Sequence, residues 1–107
     1  MGYQAVQYPD KPVSAVLPLT MDFADRLMDG ETITGVTCSN SIFSGTDASP
    51  GAMLIGSTSF SGTVATQSFG AGVVGVIYNL IFFASTSAFN LYQKTGYVAV
   101  ISDSNPY

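Results

Sequence analysis

Hydrophobic positions in this chain recur mostly with the two-residue period of a β-strand, and the clearest case is residues 73–86. There Val76, Tyr78, Leu80, Phe82 and Ala84 form one parity row, while Ile77, Asn79, Ile81 and Phe83 form the other. Successive strand side chains point to opposite faces, so both faces of this strand are mostly apolar. A half-exposed antiparallel strand alternates with polar residues. The second apolar row therefore needs a cover, either a loop or helix of the same chain or a partner subunit. A short chain has little material left to cover both faces of a sheet, which favours the partner.

The same reading places further strands at about 13–19, 31–39, 53–57, 62–69 and 89–101, the last interrupted at Gly96. Together they make six or seven closely spaced strands, the signature of an antiparallel sandwich. In ETITGVTCS, Ile33 is out of phase with Val36 and Cys38 by one residue, and Gly35 between them predicts a bulge. Residues 44–52, SGTDASPGA, are turn chemistry with Pro50-Gly51 as the strongest signal, and GAGVVG at 70–75 reads as a β-turn. Helical signal is confined to residues 20–30. Asp22 is placed to accept from first-turn N–H groups, Asp25 sits at N3 and Gly30 suits C′, which predicts one short helix over about 23–29 with Phe23, Leu27 and Met28 facing a sheet. Before it, Pro9 and Pro12 hold residues 1–12 as an extended N-terminal arm. The expected organisation is an arm at 1–12, a sandwich at 13–103 and a C-terminal tail at 104–107.

Composition then narrows the function. Of 107 residues only 9% are charged, against roughly 25% in an ordinary soluble domain, while 13 Ser, 10 Thr and 11 Gly fill the difference. The net charge is −4, and Lys11, Arg26 and Lys94 cannot supply the clustered cations that a nucleic acid requires. The longest apolar run, residues 71–84, is too short to cross a bilayer as a helix of roughly 20 residues. Residues 1–8 lack the basic and apolar regions of a secretory signal, so export by that route is not expected. Neither a nucleic-acid nor a membrane partner is expected.

Chemistry is equally scarce. There is no His, and the single Cys38 has no partner for a disulfide, a zinc site or a Cys–His pair, so it reads as a buried, inert thiol. Ser and Thr are plentiful, but the bases that would activate them are absent. The cluster Asp22, Asp25, Asp29 and Glu31 misses the calcium-loop spacing and reads as a helix cap with a solvated turn. Catalytic residues, metal ligands and cofactors are expected to be none. Tyr78 stands two residues before Leu80, the offset of a tyrosine corner from the second disulfide Cys of an immunoglobulin domain. With Cys38 on an early strand as the other half-bridge, the expected fold is an all-β, immunoglobulin-like antiparallel sandwich of about seven strands that lacks the disulfide.

Three segments carry a resemblance. DFADRLMDGETI at residues 22–33, YNLIFFASTSA at 78–88 and the closing strand 97–101 followed by Asp103 resemble small proteins of tailed bacteriophages known as fibre–tail adaptors. The resemblance spans about 9–103. It implies a non-enzymatic virion structural protein, present in several copies at the neck or tail and assembled in the host cytoplasm. Its implied partners are other virion proteins: the portal or tail adaptor, the tail tube or nozzle, or a tail fibre. Alternatives are a capsid decoration or cement protein, and a host-receptor or carbohydrate-binding module using Tyr92 and Tyr97. The residues expected to form the protein interface are Tyr3, Val6, Tyr8 and Pro9 in the arm, Ile77, Ile81 and Phe83 in the outer row, and Asn105, Pro106 and Tyr107 in the tail. An arm of this kind can add a strand to a neighbour's sheet edge.

Overall fold

The computed structural model describes residues 6–103. Eight strands make two facing sheets: β1 (Val6–Gln7), β2 (Lys11–Pro12), β3 (Leu17–Asp22), β4 (Ile33–Ser44), β5 (Leu54–Ser61), β6 (Val64–Phe69), β7 (Ile77–Thr86) and β8 (Leu91–Ile101). The wide sheet runs β1-β8-β7-β4, with β2 also on β8; the narrow sheet runs β3-β6-β5. Every pairing is antiparallel except that of β1 and β2, which lie parallel to β8. The protein is thus mostly β and sandwich-like, an arrangement compatible with the immunoglobulin-like class. Among the described residues no helix is long and apolar enough to cross a membrane.

The core forms where the inner rows of the two sheets meet. Tyr78, Leu80, Phe82 and Ala84 of β7 and Val98 and Val100 of β8 face Leu19, Met21, Ala65 and Phe69 of the narrow sheet. Parity therefore assigned the rows of β7 correctly. The phase slip at Gly35 is also real: Ile33 pairs with Thr86 and Gly35 with Ser85, leaving Thr34 as the extra residue. A larger irregularity lies in β5, where Ile55 and Ser59 oppose Ser68 and Thr66. Gln67 fills it. Its amide donates to the carbonyls of Ile55 (3.0 Å), Gly56 (3.2 Å) and Ser68 (3.1 Å) and its oxygen accepts from Thr58 (2.5 Å), so the looped-out backbone keeps its bonds inside the sandwich.

Several boundaries differ from expectation. No helix forms over 23–29; the only helical turn described is the 3-10 turn Pro50–Met53. The capping signal at Asp22 is genuine, since Asp22 Oδ1 accepts from Ala24 N–H at 2.9 Å, but it closes a local turn. Phe23 is fully buried and its N–H bonds Thr63 O at 2.8 Å, so the backbone at the would-be first turn still belongs to the sheet. Separate turns follow, Arg26 N–H to Phe23 O and Glu31 N–H to Met28 O, each at 2.9 Å. A seven-residue helix gains few bonds against its nucleation cost, and these side-chain anchors outweigh them. The strand predicted at 73–86 starts only at Ile77, because Gly72 and Gly75 have φ of +96° and +89°. β8 runs straight through Gly96, contrary to the predicted interruption.

Cys38 and Leu80 fall on β4 and β7, neighbours in the same sheet, and Cys38 pairs with Phe82. They do not mark the two sheets that an immunoglobulin disulfide would join. The thiol is half-buried, and burial pushes its pKa up to about 12. Tyr78 keeps its corner-like role: its hydroxyl accepts from Val73 N–H at 2.8 Å and donates to Asp47 at 2.7 Å.

Candidate functional site

The outer face of the wide sheet is built by three strands in register. Ile77, Asn79, Ile81 and Phe83 of β7 lie beside Ala99, Tyr97, Thr95 and Gln93 of β8 on one side and Ser44, Ser41, Ser39 and Thr37 of β4 on the other. None of these residues is charged. All four outer β7 residues are half-buried, in contrast to the fully buried inner row.

A second bulge in β4 enlarges the apolar part. Ile42 pairs with Tyr78 and Ser44 with Ile77, so Phe43 is the extra residue. Phe43 is 59% exposed, and its ring lies 4.7 Å from that of Tyr97 at 59°, a tilted aromatic pair held in the open on two strands separated by β7. Asn79, on the strand between them, has its Oδ1 buried with no donor. Toward the β7–β8 hairpin the face dips into a groove of about 240 Å³ lined by Gly35, Val36, Thr37, Phe83, Ser85 and Leu91. Beside it the hairpin carries Phe89, 98% exposed at φ +63°, and Leu91, 70% exposed. A non-glycine residue in the left-handed region is strained, and the strain here is held by the hairpin's own bonds.

Those bonds converge on Glu31. Its carboxylate accepts from the backbone N–H of Met28 (2.9 Å), Thr86 O–H (2.5 Å), the side-chain amide Nδ2 of Asn90 (2.9 Å) and Tyr92 O–H (3.1 Å). These donors, Met28 N–H foremost, lower its pKa to about 2. Glu31 is 9% exposed, so the solvated turn expected of it is corrected to a buried brace beneath the hairpin. Its acidic neighbours have other work. Asp22 accepts from Thr63 O–H at 2.8 Å, and Asp25 pairs with buried Lys94 at 2.5 Å, which lowers the Asp25 pKa. No group of residues able to hold a metal occurs among those described.

The predicted interface residues separate into distinct places. Ile77, Ile81 and Phe83 lie together on the outer face. Val6 and Pro9 are exposed on the arm, but Tyr8 is buried in the protein's own core, its O–H donating to Thr20 O at 2.6 Å. Tyr3, Asn105, Pro106 and Tyr107 lie outside the described residues. The aromatic platform of the carbohydrate-binding alternative does not form: Tyr92 packs inward onto Glu31 while Tyr97 faces outward, as their opposite parity requires. Phe43, Phe89 and Leu91 were missed. A bulge adding a face residue and a left-handed hairpin position leave little local signal, although Leu91 shares odd parity with Tyr97 along β8.

Residues 6–12, the described part of the arm, are extended and docked on β8. Lys11 is fully buried, and its ammonium donates to the carbonyls of Pro12 (3.0 Å), Val13 (3.0 Å) and Ala71 (2.8 Å). Nothing in the sequence around Lys11 announces this, because the decisive acceptor is 60 residues away.

A family model described as Podophage GP4 fiber-tail adaptor protein gp77 matches residues 11–98. No curated protein matches the chain.

Proposed function

We propose, from the premise that the chain belongs to the podophage GP4 fiber-tail adaptor protein family, that it is a non-enzymatic adaptor joining the neck or tail assembly to tail fibres or another tail component, several copies per particle. Family membership makes it a structural phage tail protein; the joining role, the copy number and the residues that carry it are our reading. The observation that carries the reading is the outer face of the wide sheet. A free monomer normally blunts an exposed sheet with charge, yet this face has none, and its centre is Ile77, Ile81, Phe83, Tyr97 and Phe43. The inward-facing polar groups are occupied with bracing: Glu31, Lys94 and Lys11 all bond within the protein.

The face contacts another virion protein by apolar area and aromatic packing, with the Phe43–Tyr97 pair as anchor. The test is an Ile81→Asp, Phe83→Asp double variant, produced as purified protein and supplied to assembling phage. The reading predicts an unchanged far-UV spectrum and cooperative unfolding together with loss of the protein from tails and loss of fibres from particles. A variant that enters tails in normal amount with fibres attached overturns it.

A further inference from the structure

We propose that the arm, residues 6–12, is an exchangeable strand, and that in the assembled tail it docks on the β8 edge of a second copy of this chain rather than on its own. The inference rests on the adaptor reading above and specifies how its copies are joined.

The docking site is built for this arm. Three features define it. Gly96 leaves a gap in the inner row of β8 that the Tyr8 ring fills, and a Cβ at Gly96 would collide with that ring. The Tyr8 hydroxyl then crosses to Thr20 O on β3 in the other sheet, and Tyr8 N–H bonds Tyr97 O at 2.9 Å. Three residues on, Lys11 seats its ammonium against Ala71 O. Ala71 holds a φ of +52°, a strained conformation for a residue with a side chain, and the carbonyl it presents completes the set that uses all three ammonium protons. Any occupant of this edge must bring an aromatic hydroxyl and a cation spaced three residues apart. The arm of an identical chain does so.

The arm is equally fitted to leave. Among the described residues its strand pairing is two two-residue parallel ladders, short beside the ladder that joins β7 and β8. Pro9 and Pro12 keep the segment extended in either state, so little conformational freedom is gained on release or lost on redocking. The connection to β3, residues 13–16, is a short surface turn held by Val13 N–H to Ile101 O (2.8 Å), Ser14 N–H to Asp103 (3.0 Å) and Ala15 N–H to Pro12 O (3.0 Å). Opening that turn redirects the arm without breaking either sheet. A vacated β8 edge would be an uncharged run from Thr95 to Ile101, which must be re-covered. Exchange replaces each contact by its twin in the neighbouring copy, so its balance is set by local concentration, which is high once copies are gathered around a tail. Each copy giving its arm to the next is a head-to-tail contact, which builds a ring where the rotation between copies closes.

The test uses a Pro12→Cys, Ile101→Cys pair in a Cys38→Ser background, since residues 12 and 101 are register partners. In dilute free protein, oxidation joins the two cysteines within one chain. In particles assembled with the reduced protein and then oxidised, exchange predicts non-reducing gel bands at two or more multiples of the 11.2 kDa chain. Only intrachain bonds in such particles overturn the proposal, as does normal tail entry of protein locked intrachain beforehand. Both outcomes leave the adaptor reading standing, which falls instead if the unaltered chain is absent from tails. As a check without substitutions, unaltered chain is mixed half labelled with 13C and associated at high concentration. Contacts between Tyr8 of labelled copies and Gly96 of unlabelled ones support exchange; contacts confined to one copy overturn it.

Discussion

The two faces of β7 carry side chains of nearly the same kind and meet opposite fates. Tyr78, Leu80, Phe82 and Ala84 are fully buried against the narrow sheet, while Ile77, Ile81 and Phe83, one residue out of step, remain half-exposed beside Phe43 and Tyr97. Hydrophobic pattern alone does not distinguish them. What separates them is the polar chemistry alongside: Glu31, Lys94 and Lys11 all bond on the inner side or at the ends of the sandwich, and the outer face is left with Ser, Thr, Asn and Gln between its apolar residues. One face stabilises the fold, and the other is the face we propose for association. If so, substitutions in adjacent residues should have opposite signatures.

The largest effect on stability belongs to the inner row. Phe82→Ala removes a ring that is entirely enclosed and is expected to cost about 3–5 kcal/mol in urea unfolding. A loss as small as that of an outer-row change would break the distinction. Next is Gly96→Ala on the same inner face of β8, where the added methyl meets the Tyr8 ring. Overpacking of this kind costs about 1–3 kcal/mol. Because the arm is the lightest part that can move, the change should appear as protease cleavage within residues 6–16, with the β7 amides still protected from exchange. Cleavage and exchange that spread together through the sandwich would show that the arm does not open apart from the core that Tyr8 joins.

A smaller effect, confined to acid, tests the brace below the hairpin. The Glu31 pKa is lowered from 4.5 to about 2 by the donors around it. A depressed folded-state value means that the folded protein binds a proton less readily than the unfolded chain. The contribution is therefore complete above about 4.5 and is lost as pH falls from there toward 2. Asp22, Asp25, Asp47 and Asp103 are also lowered, so the informative quantity is the difference between unfolding midpoints of the protein and of Glu31→Gln. That difference should be steady from pH 5 to 7 and shrink below pH 4.5. A difference independent of pH down to 2 would mean that the carboxylate is not held ionised.

How much of this was legible depended on how far each cause lay along the chain. The rows of β7 and the bulge at Gly35 were readable because strand parity is a local property, and a one-residue slip in it is visible in nine letters. The helix at 23–29 was misread for an equally local reason: Asp22 caps a turn as well as it caps a helix, and the Phe23-to-Thr63 bond that decides between them spans 40 residues. Lys11, Glu31 and Lys94 were illegible as buried groups. Their partners are 60, 55 to 61 and 69 residues away for the contacts that bury them, so nothing nearby distinguishes them from solvated charges. Tyr92 and Tyr97 are the instructive exception, since parity already placed them on opposite faces.

The smallest effect on stability should accompany the largest on assembly. Phe83→Ser removes a half-buried ring from the outer face, where the transfer energy lost is about 1 kcal/mol, less than half that of its neighbour Phe82. The serine also matches the polar residues on either side in the sheet, Thr37 and Gln93, so no buried polar group is created. In urea the variant should unfold close to the parent with the same denaturant dependence. In assembling phage it should compete poorly against the parent for a place in the tail, because the groove that Phe83 lines would have lost its floor. Mixing the two proteins at equal amounts and measuring their ratio in purified tails isolates the interface from the fold. A ratio near one, with Phe82→Ala equally well incorporated whenever it is folded, would mean that neither face of β7 is chosen by a partner, and that the apolar outer row is simply an exposed sheet.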